Sequence, residues 1–343
     1  MQRRQGVNNM WLGRRIGVLM GGLSSERDVS IASGEAVAAA LGERGHDVVK
    51  IFVDHDLDLV LRAERVEVAF IALHGRFGED GCVQGLCEML GIPYTGSAVL
   101  ASALAMDKLK TKELLRQHNL ATPAHYVHRR GQGRAVEQHG SFGYPAVVKP
   151  RAEGSSLGVS RVLDEEELEP AIELALAFDD HVLVERFIEG VEMHVAVLAG
   201  QALGAIEIDA HGIYDYPARR GHGQVTLVTP PRLSPERLRG VLTVAERAAA
   251  ALETDGLVEV DLVLSSRGNE FVLEVDTLPQ LSSQGLVARV AAAAGIGFGQ
   301  LVDEVLDSAT LHVGGAAGRS RHRRQQERER VVPTLRVQHP EHH

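Results

Sequence analysis

Cysteine is almost missing from this chain: Cys82 and Cys87 are the two in 343 residues. That is too few for a disulfide framework, and the spacing is wrong for a zinc site. No apolar run approaches the roughly 20 residues of a membrane helix. Excess positive charge is missing too. The net charge of -10 argues against general nucleic-acid or anionic-membrane binding, since both require a basic face. There are no internal repeats. The basic start, MQRRQGVNNMWLGRR, leads into an apolar piece (IGVLM) that is short and runs straight into GGLSSE. It reads as a first strand and not as a signal peptide, with Met10 as an alternative start. These absences point to a cytoplasmic protein.

What remains is ordinary globular material, 44% hydrophobic and 24% charged, long enough for two or three domains. The most informative stretch is GLVEVDLVLSSRGNEFVLEVDTLP from Gly256. Two strand-like runs flank a Gly-containing break, which is a β-hairpin signal. Strand alternation puts Glu274 and Asp276 on one face. If the loop is Ser266 to Asn269, Asp261 lies opposite Glu274 and three carboxylates converge. Unneutralised, they raise one another's pKa. A hard divalent cation removes that penalty, and Mg²⁺ with phosphate oxygens is the usual occupant. An exposed acidic strand face is the competing reading.

From Arg15 the pattern is strand, polar turn (LSSERDVS), helix (IASGEAVAAALGERG) and strand (DVVKIFVD), a βαβ unit with parallel strands. A further strand over Val66 to Leu73 ends at His74. Ligands of open α/β sheets gather at such strand ends. There the chain offers Gly21, Gly22, Ser24, Ser25 and Glu26, then His74 and Gly75. An acid and an imidazole suit a small zwitterion better than a dinucleotide, although Glu26 near a helix start also serves simply to offset the helix dipole. Ala101 to Asn119 reads as one helix carrying Asp107, Lys108 and Lys112. After a polar connection (HRRGQGRAVEQHGS), a strand ends at Lys149, and the small, glycine-flanked loop Glu153 to Gly158 follows. Backbone N–H groups in such a loop can approach phosphates, with lysine as the point charge. The spacing is not that of a Walker A loop. An edge strand presenting Glu185, Arg186 and Phe187, then Glu192, could hold an adenine and its ribose. Read without context it is only a strand of alternating charge. A loop (IYDYPARRGHGQVTLVTPP), a helix (SPERLRGVLTVAERAAAAL), the hairpin and two closing helices complete the folded part. The arginine-rich end reads as a disordered tail.

In this order, the stretches GGLSSERDVS, LHGRFGEDG, GIPYTGSAVLASALAMDKLKTK, VVKPRAEGSSLGVS, VLVERFIEGVE, IYDYPARR and EVDTLP resemble the D-alanine–D-alanine ligases of the ATP-grasp fold, from about Ile16 to Ala309. The resemblance implies an α/β (α+β) chain in three parts. Residues 12–110 would form an N-terminal parallel-sheet domain with the first-substrate site. Residues 111–200 and 201–312 would form two ATP-clamping subdomains, ahead of a basic tail over 313–343. It implies that Glu26 binds the ammonium of the first D-alanine, with His74 nearby and Ser155 positioning that side of the site. Lys108 and Lys149 would hold ATP phosphates under the loop of Glu153, Gly154, Ser155, Ser156 and Gly158. Glu185, Phe187 and Ile188 would line the adenine slot and Glu192 would take the ribose. Asp261, Glu274 and Asp276 would hold two Mg²⁺ (or Mn²⁺) ions, Asp276 standing where the family usually has asparagine. Partners would be small molecules, with neither nucleic acid nor membrane, and the resemblance allows a homodimer.

Departures from the family pattern cluster on the acceptor half. Glu259 replaces an arginine that serves the oxyanion, and losing one such donor typically costs about 10²–10³ in rate. Gln280 replaces a glycine that crowds the acceptor less, and Gly285 replaces the serine for the acceptor carboxylate. Arg219 and Arg220 replace a lysine–tyrosine pair. Two explanations fit: the two arginines restore charge in a reshaped acceptor site, or the chain binds ATP without ligating. The expected activity is D-alanyl-D-alanine synthesis through an acyl phosphate, for peptidoglycan precursors. The rivals are D-lactate or D-serine as acceptor, and a non-catalytic ATP-binding paralogue.

Overall fold

The computed structural model describes residues 10–140, 142–210 and 225–313. Three parallel strands come first: β1 (Arg15–Gly21), β2 (Asp47–Val53) and β3 (Val68–Ile71), in the order β2-β1-β3. The helix joining β1 to β2 spans Arg27–Glu43, so it begins inside the stretch expected to be a polar turn. Its buried face is made of small residues and valine or leucine, Ser33, Val37, Ala38 and Leu41 among them, which lets it lie close on the sheet.

The second sheet is antiparallel, ordered β4-β7-β5-β6, from β4 (His125–Arg129), β5 (Ala146–Pro150), β6 (Ser160–Val162) and β7 (His181–Arg186). β7 lies between β4 and β5, so the expectation of an edge strand at Glu185 is corrected. The short strand HYVHR, whose polar ends blend into the polar connection, covers that edge. The helix Glu165–Leu176 packs beneath, capped by Asp164, whose carboxylate accepts from the N–H groups of Glu166 and Glu167.

The third sheet is ordered β10-β9-β8-β11-β12, from β8 (Gly190–Leu198), β9 (Gln201–Ala210), β10 (Val225–Val228), β11 (Leu257–Ser265) and β12 (Glu270–Asp276). Because β8 belongs here, the second sheet gives way to the third at residues 187–189. Leu115 and Leu120 share a core with Val258, Val260 and Leu262 of β11. β10 lies within the stretch read as loop. Along β11 the two faces divide cleanly: Val258, Val260 and Leu262 pack on the helix Pro235–Ala251, and Glu259 and Asp261 face the opposite way. That helix contributes Val241, Ala245, Ala248 and Ala249, spaced to form one stripe. Each fully buried valine or leucine in this layer contributes about 1.5–3 kcal/mol. The helices Leu286–Ala293 and Phe298–Asp307 seal the third sheet against β1 and its helix. Among the described residues, no single helix is long and apolar enough to cross a membrane.

Two expectations about local geometry change in instructive ways. The helix expected over 101–119 is two helices, Val99–Met106 and Lys108–Gln117. Asp107 breaks it by accepting from the N–H groups of Leu109 and Lys110 and by binding Arg151 at 2.5 and 2.8 Å. The break places Lys108 at a helix start beside the loop that follows β5. In the hairpin, Ser265 pairs with Asn269 and Gly268 takes φ +81°, so the loop is the three residues 266–268. That register alone would put Asp261 out of step with Glu274. A bulge after Asp261 restores the pairing, and the two are direct partners.

Candidate functional site

A cleft between the second and third sheets divides into two cavities. One is largely apolar, lined by Val147, Phe187, Ile188, Val263 and Leu273, with Lys149, Glu185 and Glu192 at its polar positions. The other is polar, lined by Glu26, His74, Glu79, Ser155, Glu259 and Asp276. Lys108, Glu153, Asp261 and Glu274 line both, so the cavities meet at these four side chains.

In the apolar cavity, β7 ends at Arg186 and the chain crosses to β8 through Phe187 and Ile188. The Arg161 guanidinium lies over the Phe187 ring, 4.2 Å from its centroid. Glu185 is buried and held between Lys112 and Lys149, each ion pair 3.0 Å long. Burial works to raise the Glu185 pKa, but the two lysines overcome it and hold the carboxyl below its usual value. Burial pushes Lys112 down to about 8 despite Glu185. Lys112 lies four residues beyond Lys108 on the same helix, and that spacing was the signal that could have placed it behind Glu185.

In the polar cavity, Glu26 occupies the N-cap position of its helix, but its side chain makes no capping bond. It turns inward instead. Ser155 Oγ donates to Oε1, and Oε2 is buried without a hydrogen-bond partner. The dipole reading of Glu26 therefore leaves its orientation unexplained. A Cβ on Gly154 would lie 2.5 Å from Oε2 and one on Gly75 would lie 2.8 Å from it, so two glycines keep the carboxylate where it is. Ser155 and Ser156 adopt φ +49° and +56°, a conformation costing about 1–3 kcal/mol each, which aims the serine hydroxyl at Glu26. His74 contacts Ser33 Oγ through Nε2 at 3.0 Å and Glu79 Oε1 through Nδ1 at 3.2 Å. Burial, then the nearby charge of Glu26, raises the Glu79 pKa well above the carboxylate range. Glu79 lies in the quoted stretch LHGRFGEDG, yet nothing local distinguishes it from an exposed loop acid.

Where the cavities meet, Lys108 Nζ donates to the carbonyl of Glu153 and lies 3.4 Å from Glu274 Oε2. Asp261 and Glu274 are cross-strand partners, as are Glu259 and Asp276. Asp261 and Glu259 are buried and the other two half-buried, which rules out an exposed acidic face. Burial raises the Asp261 pKa to about 6; His194 opposes this, and Glu259 and Glu274 add to it. Asp276 is pushed well above its usual value by burial, then by Glu79 and Glu259. Such an oxygen-rich, mutually repelling set fits a divalent cation. His194, which sequence reasoning missed, lies beside Asp261 in register on β8. It shares a strand face with Glu192 two residues earlier, and that alternation was the available signal.

Not every expected residue reaches the cleft. Gln280 is exposed, Gly285 caps the helix Leu286–Ala293, and neither lines either cavity. Gly158 takes φ +68° and packs on Phe178 and Pro150, supporting the loop from behind. Arg219 and Arg220 lie outside the described residues, as do the first nine residues and the tail from 314.

Comparisons with known proteins agree with this geometry. The family models for the D-ala D-ala ligase C-terminus and N-terminus match residues 114–307 and 59–97. The chain is similar to a D-alanine–D-alanine ligase of Geobacter sulfurreducens, 49% identical over 303 residues that span 88% of this chain and 96% of that one. A D-alanine–D-alanine ligase of Anaeromyxobacter dehalogenans is 46% identical over 303 residues, 88% and 98% of the two chains. Among solved structures, the D-alanine–D-alanine ligase of Bacillus anthracis complexed with ATP matches with a TM-score of 0.76 at 31% identity, covering 92% and 99% of the chains.

Proposed function

We infer the activity from the premise that this chain belongs to the D-alanine–D-alanine ligase family: it is an ATP-dependent ligase that joins two D-alanines into D-alanyl-D-alanine, a building block of peptidoglycan. The observation that carries the reading is the Glu26 carboxylate, whose buried Oε2 lacks a partner and whose cavity continues past Lys108 into an apolar slot ending at Lys149 and Glu192.

Glu26 receives the ammonium of the first D-alanine, with Ser155, His74 and Glu79 fixing that end. Its carboxylate then points toward Lys108. The adenine fits between Val147, Phe187, Ile188, Val263 and Leu273, the ribose reaches Glu192, and the phosphates run toward Lys149, Lys108 and the loop 153–158. Asp261, Glu274 and Asp276 would hold Mg²⁺, which when bound supplies charge neutralisation to the phosphates. A carboxylate oxygen of the first D-alanine attacks the γ-phosphorus and ADP leaves. The amine of the second attacks the resulting acyl phosphate, and phosphate departs as the peptide bond forms. The side chains gain rate by holding reactants in line and by keeping water from the acyl phosphate. A cytoplasmic location and a homodimer belong to the same reading.

Incubation with ATP, Mg²⁺ and D-alanine tests it. The expected result is one D-alanyl-D-alanine per ADP. ATP binding without a dipeptide, and without product from D-serine or D-lactate as acceptor, overturns it in favour of a nucleotide-binding paralogue.

A further inference from the structure

His194 has no part in the scheme above, yet it lies at the centre of a buried charge cluster in the cleft. It is 1% exposed. Its Nε2 faces Glu192 Oε1 at 3.0 Å, and its Nδ1 faces Glu259 Oε1 at 2.9 Å and Asp261 Oδ1 at 2.7 Å. Two carboxylate oxygens do not come that near a bare imidazole nitrogen, so a proton or a cation must lie between them. With one ring N–H directed at Glu192, the lone pair of Nδ1 turns toward Glu259 and Asp261. That is how ligating histidines are oriented: an outer carboxylate takes one ring N–H, and the other nitrogen meets the metal.

The fold fixes these three donors on one sheet face. His194 and Asp261 are direct partners across β8 and β11, and Glu259 follows two residues away on β11. One ligand atom from each lies within 4.8 Å of the others. Metal–donor bonds of about 2.0–2.2 Å put donors up to about 4.4 Å apart, so closing on an ion requires only small side-chain movements.

We propose that His194, Glu259 and Asp261 bind a divalent transition-metal ion, with Glu192 as the outer carboxylate that orients the imidazole. The inference rests on the reading above to the extent that both use Asp261 as a cation-facing residue. An all-oxygen set suits Mg²⁺, whereas an imidazole donor shifts preference toward Mn²⁺, Co²⁺ or Zn²⁺. Asp261 lines both cavities, so the ion sits where nucleotide and amino acid meet.

The test uses the full chain, stripped with chelator and free of nucleotide. Co²⁺ is titrated and followed by visible absorption, and Mn²⁺-loaded protein is examined by pulsed EPR. Wild type is expected to show one tight Co²⁺ site that Mg²⁺ displaces poorly, and a nitrogen coupling to Mn²⁺. In His194→Gln the coupling disappears and Co²⁺ binds at least about 10-fold more weakly; Glu192→Gln, which keeps all three donors, weakens binding less. Glu259→Gln retains the imidazole and serves if the first variant does not fold; it too weakens Co²⁺ about 10-fold. Unchanged affinity in these variants, or nitrogen coupling that survives His194→Gln, overturns the proposal. None of these readouts requires ATP or ligation. Failure to make dipeptide therefore leaves the ion site standing, and failure of the ion site leaves the ligase reading standing.

Discussion

Replacing Glu259 by arginine isolates the charge pairing at the back of the site. In the wild-type protein His194 is buried beside Glu259 and Asp261. Burial acts to lower its pKa, but the charges of Asp261 and Glu259 win and raise it well above the usual imidazole value. In chelated buffer His194 is therefore a cation, and Glu259→Arg exchanges an attractive neighbour for a repulsive one. Unit charges about 4 Å apart interact by roughly 4 kcal/mol at an effective dielectric near 20. Desolvation and side-chain movement reduce this to an expected coupling of about 1–3 kcal/mol between the two positions. His194→Ser alone removes the cation from three carboxylates and is expected to cost about 3–5 kcal/mol. The effect of Glu259→Arg should then change sign with background: destabilising in wild type, stabilising in His194→Ser, where the guanidinium meets Asp261 and Glu192 unopposed. Urea unfolding of the four proteins in chelator measures this cycle. The reasoning fails if Glu259→Arg has the same sign in both backgrounds, or if the coupling is below about 0.5 kcal/mol. Ligation adds a second reading: a gain toward the 10²–10³ associated with an oxyanion donor is expected only in the double variant.

Two further outcomes follow from the cleft. Gly154→Ala would place a methyl carbon 2.5 Å from Glu26 Oε2 and displace a flexible carboxylate, so stability should change little while KM for the first D-alanine rises about 10-fold or more; steady-state kinetics with unchanged KM for ATP checks this, and an unchanged KM for D-alanine refutes it. Lys112, whose pKa falls from 10.5 to about 8 on burial, binds its proton less tightly folded than unfolded. Stability should accordingly rise as pH climbs from 8 to 10.5, by up to roughly 3 kcal/mol, and Lys112→Met should abolish the rise. Denaturant midpoints across that range report it, and a slope retained in the variant contradicts it.

Much of this architecture is legible in the sequence because local pattern and tertiary role agree there. The strand alternation of 257–276 places Glu259 with Asp261 on one face of their strand, and Glu274 with Asp276 on one face of theirs, whatever the loop does. The partnering of Asp261 with Glu274, by contrast, follows from a three-residue loop and a bulge that compensate one another, and period-2 reasoning sees neither. Asp107 reads as an ordinary helical residue, since the apolar pattern runs through it; the break depends on Arg151, which folding brings from 44 positions away. β7 looked like an edge because HYVHR, with one tyrosine and one valine between polar neighbours, carries little strand signal. Glu259 stands out as an odd residue in the sequence and His194 does not, and their mutual compensation exists only once β8 and β11 lie side by side.

Isotope transfer tests the central claim most directly. D-Alanine labelled with ¹⁸O in its carboxylate is incubated with the protein, ATP and Mg²⁺, and the released phosphate is analysed by mass spectrometry. If the carboxylate attacks the γ-phosphorus and the amine later expels phosphate, each dipeptide formed delivers one ¹⁸O to phosphate. Cleavage of ATP to phosphate that carries no label, or no cleavage at all, contradicts the account.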